Sequence, residues 1–179
     1  QRFANADIQL DLGSSTTGLF GSPLYDPRVW NGAVWYFAGN ATWRPYGAGC
    51  QGTGGVPGLA PAPGSLPKFG TVFKLDLTKL PAAPGPLLTF LGLSTEPYAG
   101  IPLPLDRTVL GAPGCSLLCS GPFTLPAVNV GGSGLLVVSI PNDPVLLRGR
   151  FLLQTFVPDA AANALGLTVT NAGEGYIGK

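Results

Sequence analysis

Histidine and methionine are both absent from the 179 residues. Without histidine, nucleophilic triads of the Ser-His-Asp or Cys-His type are excluded, and so are most catalytic zinc sites. Charge is scarce as well. Charged residues make up 11% of the chain, against about 25% in an ordinary soluble domain. Ten basic and nine acidic residues leave a net charge of +1, with no basic patch for a nucleic acid and no polybasic run for an anionic membrane. Apolar runs are short and broken by glycine or proline, so no transmembrane helix is expected. The missing initiating methionine suggests that Gln1 is either a processed N-terminus, such as a removed signal peptide would leave, or the cut edge of a longer sequence.

What is abundant is glycine (27) and proline (19), about a quarter of the chain, beside a 45% hydrophobic fraction. The hydrophobic content argues against disorder, and the glycines lack the three-residue period of collagen. The composition fits a β protein with many turns. Period-two alternation is common and helical periodicity scarce. Ile8, Leu10 and Leu12 alternate with Gln9 and Asp11, and Phe73, Leu75 and Leu77 with Lys74 and Asp76; both read as half-buried strands. Residues 86–93, 135–140 and 151–157 are apolar on both faces and read as strands deep in the fold or covered by a neighbour. Residues 165–170 read as a short alternating strand. Around Asn31-Gly32, the stretch 29–37 reads as an aromatic hairpin. Residues 52–70 read as an extended loop, with further turns at 81–86 and 131–134. Asn142-Asp143-Pro144 is placed to cap one helical turn through Leu147. The expected fold is therefore all-β: an antiparallel β-sandwich, jelly-roll or Ig-like, with long Gly/Pro-rich loops and at most one short helical turn. All three tryptophans lie within the first 43 residues. A boundary near Arg44 follows, with 1–43 as an N-terminal strand and aromatic hairpin and 44–179 as the sandwich.

Three cysteines, Cys50, Cys115 and Cys119, form no CxxC pair. One disulfide and one spare thiol are expected in an oxidising compartment. Cys115 and Cys119 would stand roughly 13 Å apart in an extended segment, beyond the reach of a disulfide unless the chain turns tightly. Cys50 with either partner would close a long loop worth on the order of 4 kcal/mol, so energy alone does not choose between them.

Chemistry is hard to find. The nine acids form no recognisable pair in sequence of the kind that cleaves glycosides. Asp7 with Asp11, or Asp159 with Asn163, carry suitable oxygens for calcium but lack EF-hand or RTX spacing. Gly52-Thr53-Gly54-Gly55 lacks the Lys-Ser/Thr ending and the following helix of a phosphate loop. No catalytic, cofactor-binding or metal-binding residue is assigned. Tyr25, Trp30, Trp35, Tyr36 and Trp43 offer two readings: a face that stacks on sugars, with Trp30, Trp35 and Trp43 as its platform, or packing in a core or against another subunit. Asn40-Ala41-Thr42 is a formal glycosylation sequon.

Five motifs occur in order from Arg44 onward. They are Tyr46-Gly47-Ala48-Gly49-Cys50, Leu103-Pro104-Leu105-Asp106, Gly111-Ala112-Pro113-Gly114-Cys115, residues 140–147 (Ile-Pro-Asn-Asp-Pro-Val-Leu-Leu) and residues 162–171 (Ala-Asn-Ala-Leu-Gly-Leu-Thr-Val-Thr-Asn). Residues 44–171 resemble a small β-domain that recurs, often C-terminally, in exported proteins of planctomycetes and related bacteria. The resemblance implies a secreted or surface sandwich and a Cys50–Cys115 disulfide, with Cys119 as the spare. It brings no activity with it.

These readings converge on a secreted or cell-surface structural protein that is not an enzyme, needs no cofactor and associates with copies of itself. The expected mode is β-strand addition, the strand around Ile8, Leu10 and Leu12 completing a neighbour's sheet. Cys119 is the candidate free or intermolecular thiol. The alternative is a carbohydrate-binding or adhesive module using the N-terminal Trp/Tyr face, with extracellular glycans as partners.

Overall fold

The structure is a computed structural model. It describes residues 39–95, 100 and 102–179, together with the backbone of four short strands in the first 38 residues. The chain divides into two compact units, Gln1–Ala38 and Gly39–Lys179. Gly39–Trp43 thus belong with the larger unit, because the strand they lead into pairs with the last strand of the chain.

In the first unit β1 (Arg2–Ala4) pairs antiparallel with β2 (Gln9–Asp11), placing Phe3 opposite Leu10, and β3 (Ser15–Thr16) pairs with β4 (Leu24–Tyr25). Leu10 therefore lies on a strand with one edge already taken by its own chain. Ile8, Leu12, Trp30, Trp35 and the expected hairpin at 29–37 lie outside the described residues.

The second unit is antiparallel β, as expected. Its strands are β5 (Thr42–Tyr46), β6 (Gly58–Pro61), β7 (Val72–Thr78), β8 (Gly85–Gly92), β9 (Leu105–Asp106), β10 (Ser116–Leu117), β11 (Phe123–Asn129), β12 (Gly134–Ser139), β13 (Arg150–Pro158) and β14 (Leu167–Tyr176). Eight of them make one sheet in the order β5-β14-β13-β8-β11-β12-β7-β6. The sheet curls until its far strand β6 returns to β14. The two layers of the core are thus the two sides of one sheet rolled nearly shut.

Period-two patterning explains the inner wall. Phe73, Leu75 and Leu77 of β7 point inward, as their alternation predicts, and meet Leu87, Ala127, Leu136, Phe151, Leu153 and Val157. Inward-facing Thr89 and Thr155 spend their hydroxyls on each other at 2.8 Å, so neither is left unsatisfied. Strand β14 runs ten residues, well beyond the expected 165–170. Its Gly173 and Gly175 hide it from propensity reading, yet they are required there. A Cβ on Gly173 would overlap the Trp43 ring, and one on Gly175 the Phe151 ring.

The register between β13 and β14 shifts between Gln154 and Phe156, so two residues of β14, Thr170 and Asn171, oppose Thr155. Such a bulge re-aims a side chain. Thr170 Oγ1 accepts the Thr155 N–H at 3.0 Å, filling the gap in the ladder. Asn171 turns toward β6, where its Oδ1 accepts the Leu59 N–H at 2.9 Å and its Nδ2 donates to the Leu59 carbonyl at 3.1 Å. One side-chain amide thus satisfies both backbone groups of Leu59 where β6 meets β14.

Residues 52–70, expected to be a loop throughout, contain β6. Its Leu59 is buried, and its ladder to β7 runs through non-proline residues, with Pro61 at the strand end. Two 3-10 turns are present among the described residues. Pro144–Leu146 is the expected one, capped by Asp143, whose Oδ1 accepts the Val145 N–H. Thr108–Leu110 is additional to the single turn that the sequence suggests. It follows a turn in which Asp106 Oδ1 accepts from Thr108 N–H and hydroxyl at 2.9 and 2.7 Å, and these bonds hold the Asp106 carboxyl below its ordinary range.

Candidate functional site

Outside the barrel wall the structure treats its two halves differently. Strands β13 and β14 carry a cover made of β9, the 3-10 turn and β10. Beneath it Phe156 and Val169 pack with Ala112, Cys50 and Cys115. This explains why Phe151–Val157 is buried on both faces. Gln154, fully buried, stitches the cover down: its Oε1 accepts the Leu118 N–H at 2.9 Å, and its Nε2 donates to Ser116 O at 2.9 Å and Thr170 O at 3.1 Å. The Arg107 guanidinium lies 4.3 Å over the Phe156 ring.

The disulfide is Cys50–Cys115, with Cα atoms 4.9 Å apart. It ties the cover to the segment beside β14, where the Cys50 N–H donates to Val169 O. Cys119 is the free thiol, but it is 0% exposed. Its expected role as an intermolecular link is corrected here: a sulfur sealed inside the fold cannot meet one on another copy. Burial pushes its pKa up to about 12, so it stays a neutral thiol rather than the reactive thiolate. Nearby Tyr46 donates to Leu118 O, and burial first, then the Cys119 and Glu174 charges, push its phenol upward.

Trp43 is likewise turned away from use as a sugar platform. Its partly buried ring packs inward at 5.4 Å from Phe73 and 6.4 Å from Phe151, centroid to centroid, against Gly173. It belongs with the core and drops out of the glycan-stacking set. The remaining members, Trp30 and Trp35, lie outside the described residues.

The described acids have local structural partners or stand on a strand face. Both Asp159 oxygens accept from Thr53, while Asn163 closes a turn onto Leu167, so each side chain is committed to a different partner. Glu174 pairs with Arg150. Among the described residues no three His, Cys, Asp or Glu side chains come together as metal ligands. A hollow of about 560 Å³ runs between the 81–85 loop, Asn129 and Pro158–Ala161. Its polar groups are already committed: Asn129 donates to Pro81 O and Ala83 O and accepts from Gly132 N–H. A smaller cleft by Arg44 and Tyr46 holds the Arg150–Glu174 pair.

The other half of the wall is apolar and carries no cover among the described residues of this unit. Leu88 on β8, Val128 on β11, and Leu135 and Val137 on β12 point outward, exposed by 44, 58, 48 and 49%. On β8 and β11 they stand in adjoining rows, Pro86 opposite Val128 and Leu88 opposite Pro126, and β12 joins β11 at the hairpin end, Asn129 opposite Gly134. On β7 the outward residues are Val72, Lys74, Asp76 and Thr78, with Lys74 and Asp76 opposite Val137 and Leu135. Residues 86–93 and 135–140, apolar on both faces in sequence, thus spend one face on the core and leave the other open. An apolar groove of about 380 Å³ continues this surface between Leu88, Phe90, Phe156 and Leu167. Comparison with protein-family models, with curated proteins and with solved structures found no match.

Proposed function

We propose that the chain is a secreted or cell-surface structural protein that acts by associating with copies of itself, without chemistry of its own. The observation that carries this reading is the uncovered apolar face of β8, β11 and β12. Contiguous exposed apolar surface beyond a few hundred Å² marks an interaction site in soluble proteins, and a net charge of +1 supplies little repulsion between copies. The disulfide supports an oxidising, extracellular setting.

The mode of association favoured by the geometry differs from the strand addition expected first. The large sheet rolls until its edge strand β6 meets β14, where Asn171 of β14 occupies the backbone groups of Leu59, which leaves β6 little open edge to accept a neighbour's strand. The sheet's outer face is the larger free surface. The test is negative-stain electron microscopy and light scattering of the full chain, with and without reductant. Oligomers or filaments that persist in reductant are expected, because Cys119 is buried. Monomer at all concentrations overturns the reading.

A further inference from the structure

We infer that the outer face of β12 and β7 is a two-fold contact between copies of this chain, in which Lys74 of one copy pairs with Asp76 of the other. The inference rests on the self-associating function proposed above. A two-fold contact is isologous, so the surface that forms it must be complementary to itself. This face is. Lys74 and Asp76 are alternate residues of β7 and so point to the same outward side, about 7 Å apart along the strand. They are of opposite sign. An axis between them sets each lysine against the other copy's aspartate, and it does so twice.

Three observations favour a second copy as the occupant. Neither charged side chain makes an ion pair or hydrogen bond among the described residues of its own chain, although four acids (Asp106, Asp143, Asp159 and Glu174) do find local partners. Both stand beside exposed apolar side chains, Leu135 opposite Asp76 and Val137 opposite Lys74. Under the two-fold operation these apolar side chains flank the charges on either side of the axis. Finally, Val72, Leu135, Val137 and Val128 are each about half exposed and extend the contact.

The test uses the full chain and sedimentation velocity over a concentration series, with circular dichroism as a check on folding. All the substituted side chains are outward-facing, so unfolding is not expected. K74E sets a carboxylate against Asp76 of the other copy, and D76K sets an ammonium against the other copy's Lys74. Each alone is expected to weaken self-association by about tenfold or more, as like charges meet across an interface. Mixing K74E with D76K is expected to restore it, since each copy then meets its opposite. V137D, which places a charge beside the axis, is expected to weaken association by a similar factor. Two results overturn the inference in different ways. If the parent chain associates but K74E, D76K and V137D associate equally well, this face is not the contact, while self-association stands. If the parent chain remains monomeric throughout, both fall together.

Discussion

At the scale of single residues, the structure assigns core duties to groups that in sequence look available for function. Trp43 illustrates this. An isolated tryptophan near a strand start can face either way, and its direction is decided by Gly173 and Gly175, which lie at the far end of the sequence and leave room for its ring and for Phe151. Nothing local signals that. W43A is expected to cost about 3–5 kcal/mol, the usual range for removing a large aromatic from a core, read from the urea midpoint. Cys119 is a second case. Sequence marks it as the odd thiol but cannot reveal its burial. In the native state it is expected to resist alkylation, and to react fully once the chain is unfolded. Its raised pKa also has a consequence for stability. Cys119 stays protonated in the fold up to about pH 12, whereas in the unfolded chain it ionises near pH ~8.5. Stability is therefore fully present below about pH 8.5 and is lost as pH rises from there toward 12. Tyr46, also raised, adds to the same loss. Urea midpoints measured from about pH 7 to about pH 11 should fall across this window, and less steeply in C119A.

At the scale of elements, alternation makes some strands legible. Phe73, Leu75 and Leu77 are readable because β7 has one dry and one wet face, the arrangement that period-two patterning encodes. Strands β6 and β14 are obscured, the first by neighbouring prolines and glycines, the second by the two glycines its packing needs. The cover over β13 is not legible at all. It is held by Gln154, by the disulfide and by Arg107 over Phe156, contacts between segments far apart in the chain. The Cys50–Cys115 pairing is implied by the ordered motifs, not by energy. Closing a loop of 65 residues is worth about 4 kcal/mol in the chain-entropy model, so C50A/C115A should lower stability by that order and raise amide exchange first in residues 105–117. The bulge that turns Asn171 toward β6 makes a further prediction. N171A removes both bonds to Leu59 and leaves a buried N–H without a partner, a cost of about 1–3 kcal/mol. Amide exchange at Leu59 should rise more than at the neighbouring Leu75 if the loss is local to the closure.

At the scale of the whole second unit, the fold divides its outer surface into a covered half and an open half. The covered half explains the burial of Phe151–Val157 on both faces. The open half explains why residues 86–93 and 135–140 are as apolar as a doubly buried strand while keeping one side toward solvent. Such segments read two ways from their residues alone, as strands deep in the fold or as strands covered by a neighbour. The first fits 151–157, and the second is the function proposed for the others. A single two-fold face yields a dimer; extension into a filament needs a second, independent surface. The exposed groove by Leu88 and Phe156 and the N-terminal unit are the places to seek it. The most direct measurement is the concentration dependence of mass by light scattering, for the full chain and for a variant carrying L88D and L135D on the open face. Both are expected to fold alike. The parent should rise in mass with concentration and the variant should remain at the monomer mass of 18.3 kDa. A parent that stays monomeric, or a variant that associates as the parent does, would contradict the assignment of the open face as the site of self-association.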